Sequence, residues 1–338
     1  MTTKIKDIAK ELNLSISTVS RVLNGKGNFS NETIKKVLEK VKELNYFPDI
    51  AAKGLRQSKK FVISIVFDSE DYYCSPGNSF WPHIVRGVID ILKNHGYSLI
   101  LSPIDIGSNK DIINQDYNDF YRADGLIIVG PRIPQKFILN MKVKEIPMVL
   151  IDNEIKFENI DCILADNFNG GYLAAKHLIE KGHKNIACLS SDEEFVSFIK
   201  RIEGYKKCMI DNNLKANINV LKFNLNKFDI ESKEIKNFIT LLKKKTSALF
   251  CVNDVYALSI LKIFRKFGVK VPKDIALIGF DNLDVDEHTT PRLSTININK
   301  LELGKLAAKM IIEKVKGERN SNIKTILDVN LIERDSTA

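Results

Sequence analysis

The sequence predicts a small all-α head followed by an α/β core of two doubly wound parallel-sheet lobes. Three observations lead there. In the first 45 residues, apolar positions recur at helical spacing with no strand-like run. From residue 61 onward, short apolar runs alternate with amphipathic stretches, the pattern of parallel sheets covered by helices on both faces. Those runs fall into two sets, each enough for a sheet, which suits a chain of 338 residues that needs two or three packed units.

In the head, "IKDIAKELN" carries Ile5, Ile8, Ala9 and Leu12 at helical spacing. Asn13 and Leu14 form a short turn, and Ser15 can cap a second helix that turns Val19, Val22 and Leu23 inward before Asn24-Gly25 stops it. "FSNETIKKVLEKVKELNY" offers Ser30 as a cap and Ile34, Val37, Leu38, Val41 and Leu44 as an apolar stripe. Residues 1–46 are therefore expected to fold as a three-helix unit. Pro48 ends the third helix, Asp49 can start one further turn or two, and the polar close of residues 47–60 marks a linker.

Beyond it, "FVISIVF", "YSLILSP", "DGLIIVG" and "PMVLID" form one strand set, and "NIACLS", "VLKFNL", "ALFCVND" and "IALIGFD" the other. Helical stretches such as "HIVRGVIDILKNHG" and "GGYLAAKHLIEKG" lie between them. Ligands of doubly wound sheets bind beyond the carboxyl ends of the strands, so the ends of these runs are where a site is expected.

Composition bounds the function. Hydrophobic residues are 44% and charged residues 28% of the chain, ordinary for a globular protein. No apolar run approaches the roughly 20 residues needed to span a bilayer. "MTTKIKDIAKELN" lacks the apolar core of a signal peptide, so a cytoplasmic protein without a membrane partner is expected. Cysteines 74, 162, 188, 208 and 251 form no C-x-x-C pair and read as buried free thiols. Histidines 83, 95, 177, 183 and 288 show no ligand spacing, so no metal is expected. No G-x-G-x-x-G, P-loop or G-x-S-x-G is present, and "NGKGN" lacks the strand a phosphate loop requires. No cofactor, catalytic residue or enzymatic activity is expected.

Charge is unevenly placed. Residues 1–60 hold 13 Lys and Arg against 6 Asp and Glu, leaving 38 against 36 for the rest. A basic head on a near-neutral body suits a polyanion. Two helices joined by a tight turn, the second opening on small hydroxyl residues and carrying Arg21, form the layout of a helix-turn-helix whose second helix enters the DNA major groove. Ile16, Ser17 and Thr18 would face the bases first, with Arg21 one turn on. Arginine donates two bonds to guanine, and an apolar side chain such as Ile16 presses on a thymine methyl. Ser15, Thr18 and Ser20 suit phosphate contacts, which set register.

With "IKDIAKELNLSISTVSRVLNG", "ETIKKVLEKVKELNYFPDIAAKGLR", "GYLAAKHLIEKGHKNIACLS", "RIEGY", "VPKDIALIGFDN" and "TPRLSTI" in this order, the whole chain resembles the lactose-repressor/galactose-repressor (LacI/GalR) family of bacterial transcription regulators. The resemblance implies a homodimer on a pseudo-palindromic DNA operator and a periplasmic-binding-protein-like core over residues 61–338. It implies that residues 47–60 fold as a hinge helix on DNA, with Leu55 as the wedge in the minor groove. It places an effector between an N-lobe of about 61–162 and 293–321 and a C-lobe of about 163–290 and 323–338.

Arg201, Asn253 and Asp281 match positions that contact effector in that family, and their donors and acceptors suit a polyol. An ion pair between Arg201 and Asp281 across the cleft is the structural alternative. "DSEDYYCSPGNSFWPHIVRG" adds Tyr73, Phe80 and Trp81, whose faces suit stacking on a pyranose, so a sugar, oligosaccharide or galactoside, is the favoured effector. Packing of Phe80 and Trp81 against the sheet competes with that role. A purine-responsive repressor and a sugar receptor without DNA function are the rival functions.

Overall fold

The computed structural model describes residues 4–23, 27–44, 60–69, 79–106, 120–155, 158–193, 195–223, 229–319 and 321–338. Internal contacts divide the chain into two units, Met1–Lys60 and Phe61–Ala338.

In the first unit, α1 (Ile5–Glu11), α2 (Ile16–Leu23) and α3 (Asn31–Glu43) bury Ile8, Ala9, Val19, Val22 and Val37 together. Ser30 caps α3 by accepting from the Thr33 N–H at 3.2 Å. Lys40 ties α3 to α1 through Glu11 at 3.1 Å. Leu38, expected inward, is 46% exposed. One residue on from the fully buried Val37, it is turned by about 100° on a 3.6-residue helix, and the small core takes only one of the two.

The second unit begins with β1 (Val62–Asp68), α4 (Phe80–Leu92), β2 (Ser98–Ile104), β3 (Gly125–Val129), α5 (Gln135–Val143), β4 (Met148–Ile151) and β5 (Asp161–Ala165). It continues with α6 (Asn167–Glu180), β6 (Ile186–Ser190), α7 (Val196–Asp211), β7 (Asn219–Lys222), α8 (Lys233–Lys245), β8 (Ala248–Cys251), α9 (Asp254–Lys266), β9 (Ala276–Asp281) and β10 (Ser294–Ile298). The last elements are α10 (Lys300–Lys316), β11 (Lys324–Leu327) and β12 (Val329–Ile332).

Among the described residues the strands form two six-stranded sheets, ordered β11-β5-β4-β3-β1-β2 and β12-β10-β9-β8-β6-β7. All pairs are parallel except β10 with β12. Central strands such as β3 and β9 are buried at every residue, as a sheet covered on both faces requires. β2, at a sheet edge, alternates toward exposure.

The chain crosses between lobes at Asp166, Asn299 and Asp328, so β5 extends the first lobe past residue 162 and β10 belongs to the second lobe, not to the segment 293–321 expected in the first. β5 pairs with β4, so it stays in the first sheet, while Ser294 pairs with Ile278 and keeps β10 in the second. β11 returns to the first sheet beside β5. Each crossing follows its strand because the strand's pairing, unseen in an apolar run, decides its lobe.

Cys162, Cys188, Cys208 and Cys251 are buried free thiols, and Cys74 lies outside the described residues. No described helix is long and apolar enough to cross a membrane. Among the described residues, no group of three His, Cys, Asp or Glu is placed to hold a metal.

Candidate functional site

The first candidate surface is the start of α2. Val19 and Val22 face the head's core, which turns Ile16, Ser17 and Arg21 outward. Ile16 is 48% exposed, an apolar side chain in water on the first turn of a helix. Ser15 caps that turn: its Oγ accepts from the Thr18 N–H at 3.0 Å and lies 2.7 and 2.8 Å from the Ser17 and Thr18 hydroxyls. Thr18 and Ser20 are half-buried at the rim. The first turn carries no acidic residue, so no side-chain charge there repels an anion. Leu55 lies outside the described residues.

The second candidate lies where the strands of the two lobes end. Arg201, on α7 and 3% exposed, is fixed on every side. Its Nε donates to Asn167 Oδ1 at 2.8 Å and its Nη1 to the Val252 carbonyl at 2.6 Å. Its guanidinium lies over the Phe280 ring, 3.7 Å from the centroid. Nη2 stands 3.2 Å from Asp281 Oδ1. This ion pair joins α7 to β9 within one lobe, not across the cleft.

The pairing leaves Asp281 incompletely satisfied. Oδ1 is buried and makes no hydrogen bond, because Nη2 is close but misaligned. Burial pushes this carboxyl up to about 7, against the opposing pull of Arg201. Asp281 also has φ 118° and Asn282 φ 53°, a left-handed backbone that costs of order 1–3 kcal/mol for such residues. Lys300, at the second crossing, holds it by donating to the carbonyls of Asp281 (2.5 Å) and Asn282 (2.8 Å).

Asn253 follows β8 and caps α9 by accepting from the Tyr256 N–H at 2.9 Å, which leaves its amide N–H groups to be offered. Its neighbour Val252 supplies the carbonyl that fixes Arg201, so Arg201, Asn253 and Asp281 gather at the ends of β8 and β9.

The first lobe's aromatics are placed differently. Trp81 is 5% exposed, 5.9 Å from Phe67 and 6.1 Å from the half-buried Phe80, with Gly130 behind it. That is the packing role left open for it by the sequence. Tyr73 lies outside the described residues.

Four residues absent from the sequence reading lie beside this cluster. A cavity of about 130 Å³ is lined by Asp152 and Asn153 beyond β4, by Asn167, which accepts from Arg201, and by Ser197 on α7. Ser197 is 5% exposed and its Oγ has no hydrogen-bond partner among the described residues. Burial raises Asp152 to about 6, with Arg201 pulling it back. Asp152 follows the run "MVLI" as Asp281 follows "IALIGF", so the strand-end rule would have found it. Ser197 has no such signal.

Polar contacts span the lobes. Arg132, after β3, meets Glu193, after β6, at 2.9 and 3.1 Å. His83 on α4 meets Asp284 at 3.0 Å, and the Asp284 N–H donates to Ser79 Oγ at 2.8 Å.

Residues 4–49 match the family described as "Bacterial regulatory proteins, lacI family", and residues 175–337 match a periplasmic binding protein-like domain. The HTH-type transcriptional repressor PurR of Photobacterium profundum is 32% identical over 338 residues, covering 98% of both chains. The solved Lac repressor dimer bound to operator and the anti-inducer ONPF shares 22% identity at a TM-score of 0.77, over 100% of this chain and 99% of that one. A LacI family transcriptional regulator from Enterococcus faecium with bound ribose shares 26% identity at a TM-score of 0.68, over 82% of this chain and 98% of that one.

Proposed function

The chain belongs to the LacI family of bacterial regulatory proteins, and from that premise we propose that it is a homodimeric repressor released from its operator by a small sugar. The family consists of DNA-binding transcription regulators, not enzymes. In the proposal, residues 1–46 read each half of a pseudo-palindromic operator through Ile16, Ser17 and Arg21, with Ser15, Thr18 and Ser20 on phosphates. Residues 47–60 form the connecting hinge with Leu55 at the centre of the site, and residues 61–338 take the effector. Closing the lobes on effector changes the spacing of the two hinges, which couples the sites.

One observation supports the sugar reading above the others: the buried Asp281 Oδ1 lacks a hydrogen bond, while Arg201 beside it spends Nε and Nη1 on Asn167 and the Val252 carbonyl. An unpaired buried acceptor costs free energy that a hydroxyl donor restores. Asp152, the Asn253 amide and Ser197 Oγ add acceptors and donors of the kind that vicinal hydroxyls need. Ribose in the Enterococcus faecium relative supports the same class.

A purine N–H could also donate to Asp281, and the test separates the two. The full-length dimer is loaded on a duplex selected from a random library, then challenged with neutral mono- and disaccharides and with purine bases. Release by a sugar supports the proposal. Release by a purine alone replaces the effector and leaves the regulator, whereas tighter DNA binding with a sugar makes that sugar a corepressor and overturns induction.

A further inference from the structure

Arg21 does not project from α2 unsupported. Its guanidinium carbon lies 5.7 Å from the centroid of the Phe29 ring. Phe29 stands just before α3, half-buried against the head's apolar cluster, so the core anchors the ring that meets Arg21. The space for this contact exists because residue 27 has no side chain. A Cβ on Gly27 would stand 2.9 Å from Arg21 Nη2, 3.3 Å from Cζ and 3.1 Å from the Phe29 ring. Gly27 also has φ +102°, a conformation that glycine adopts freely.

We propose that Phe29 is a positioning residue for base recognition: with Gly27 it forms a seat that orients the Arg21 guanidinium for bidentate donation to a guanine. This rests on the reading of Arg21 as a base contact. A cation is attracted to the ring face, while the guanidinium N–H donors lie in its own plane and stay available to the base. A four-torsion side chain held near its bound orientation gives up less freedom on binding, so the seat favours the matched base pair and not DNA in general.

The test uses the full-length protein as wild type, Arg21→Ala, Phe29→Leu, Phe29→Tyr and the Arg21→Ala/Phe29→Leu double variant. Each is measured on a duplex selected from a random library and on duplexes changed at one base pair. Arg21→Ala identifies the pair that Arg21 reads. Phe29→Leu, which keeps apolar bulk but loses the ring face, is expected to lower the preference at that same pair about two- to five-fold. Preferences elsewhere should hold when measured well below the melting midpoint of each variant, Phe29→Tyr should retain the preference, and Phe29→Leu should add no further loss of preference in the Arg21→Ala background. An unchanged preference in Phe29→Leu at the pair that Arg21→Ala identifies overturns the seat, as does a loss spread evenly over all positions. If Arg21→Ala changes no single pair, the base-reading role of Arg21 fails first and the seat with it.

Discussion

Asp254 and Asp286 accept from one donor, the Leu283 backbone N–H, at 3.2 and 2.8 Å. Both are 0% exposed. Thr295 Oγ1 spans the two oxygens of Asp254, and Asp286 Oδ1 is left without a partner. Two carboxyls this close cannot both ionise, so one holds a proton at neutral pH. Burial, and then the charge of Asp254, push Asp286 up to about 10.

A raised acid binds a proton in the folded state that the unfolded chain has released, so its contribution falls as pH rises from the ordinary carboxylate range toward 10. Asp286→Asn keeps the shape and a donor while removing the titration. It should match wild type near pH 5 and exceed it increasingly above pH 7, by up to about 1 kcal/mol per pH unit. Melting midpoints of both proteins across pH 5–9 check this, and parallel curves would show that Asp286 does not carry the proton.

At the proposed effector site, the same carboxyl chemistry in Asp281 would act on the ligand. Its value of about 7 means that the acceptor form grows in as pH passes neutrality. Affinity for a hydroxyl-donating effector should therefore rise between pH 6 and 8, and Asp281→Asn should flatten that rise. The variant should lose DNA release by effector while keeping operator affinity and dimer mass. Titrations of both proteins at three pH values, with sedimentation as control, decide it. A dissociated dimer would make Asp281 a structural residue.

How much of this was legible depends on what each residue answers to. The lobes were legible because uninterrupted runs such as "GLIIV" are explained only by burial on both faces. The capping of α2 by Ser15 was legible because it is local. Arg201 and Asp281 were singled out through resemblance, but their geometry within one lobe depends on which helix packs beside β9. Ser197 was invisible, since an unpartnered hydroxyl exists only once its surroundings are known. For Trp81 the sequence left two roles open, because an aromatic at a loop-to-helix boundary looks the same whether it faces a cleft or, as here, packs beside Phe67.

Arg132 and Glu193 form an interlobe pair with side chains about one-third exposed, at 34% and 38%. The Arg132 guanidinium also lies 5.7 Å from the Phe195 ring. Screening limits such a pair to about 1 kcal/mol or less. A double-mutant cycle with Arg132→Ala and Glu193→Ala should give a coupling of about 0.5 kcal/mol that shrinks in 1 M salt, where the Debye length is about 3 Å. Urea unfolding at low and high salt measures it. A coupling unaffected by salt would assign the contact to the ring and not to the charges.

Two glycines set how closely the helix of Arg201 approaches its neighbour. α6 and α7 cross so closely that a Cβ on Gly204 would stand 1.9 Å from the Phe168 carbonyl oxygen, and one on Gly171 2.0 Å from the carbonyl of Arg201 itself. Both obstacles are backbone, so no side chain can turn aside and the helices must separate. Arg201 sits three residues before Gly204 on the same helix and would move with it, away from Asn167, the Val252 carbonyl and Asp281. Gly204→Ala should therefore cost about 1–3 kcal/mol of core stability through overpacking. It should weaken effector binding more than the stability loss explains, since a polar site displaced by about 1 Å loses its geometry. Ile199→Ala, on the same helix but 40% exposed, is the control and should change neither property much. Effector affinity is measured well below the melting midpoint, where each variant is folded. Unchanged affinity in Gly204→Ala, at a reduced midpoint, would mean that the close crossing serves stability alone and that Arg201 is held by its own hydrogen bonds.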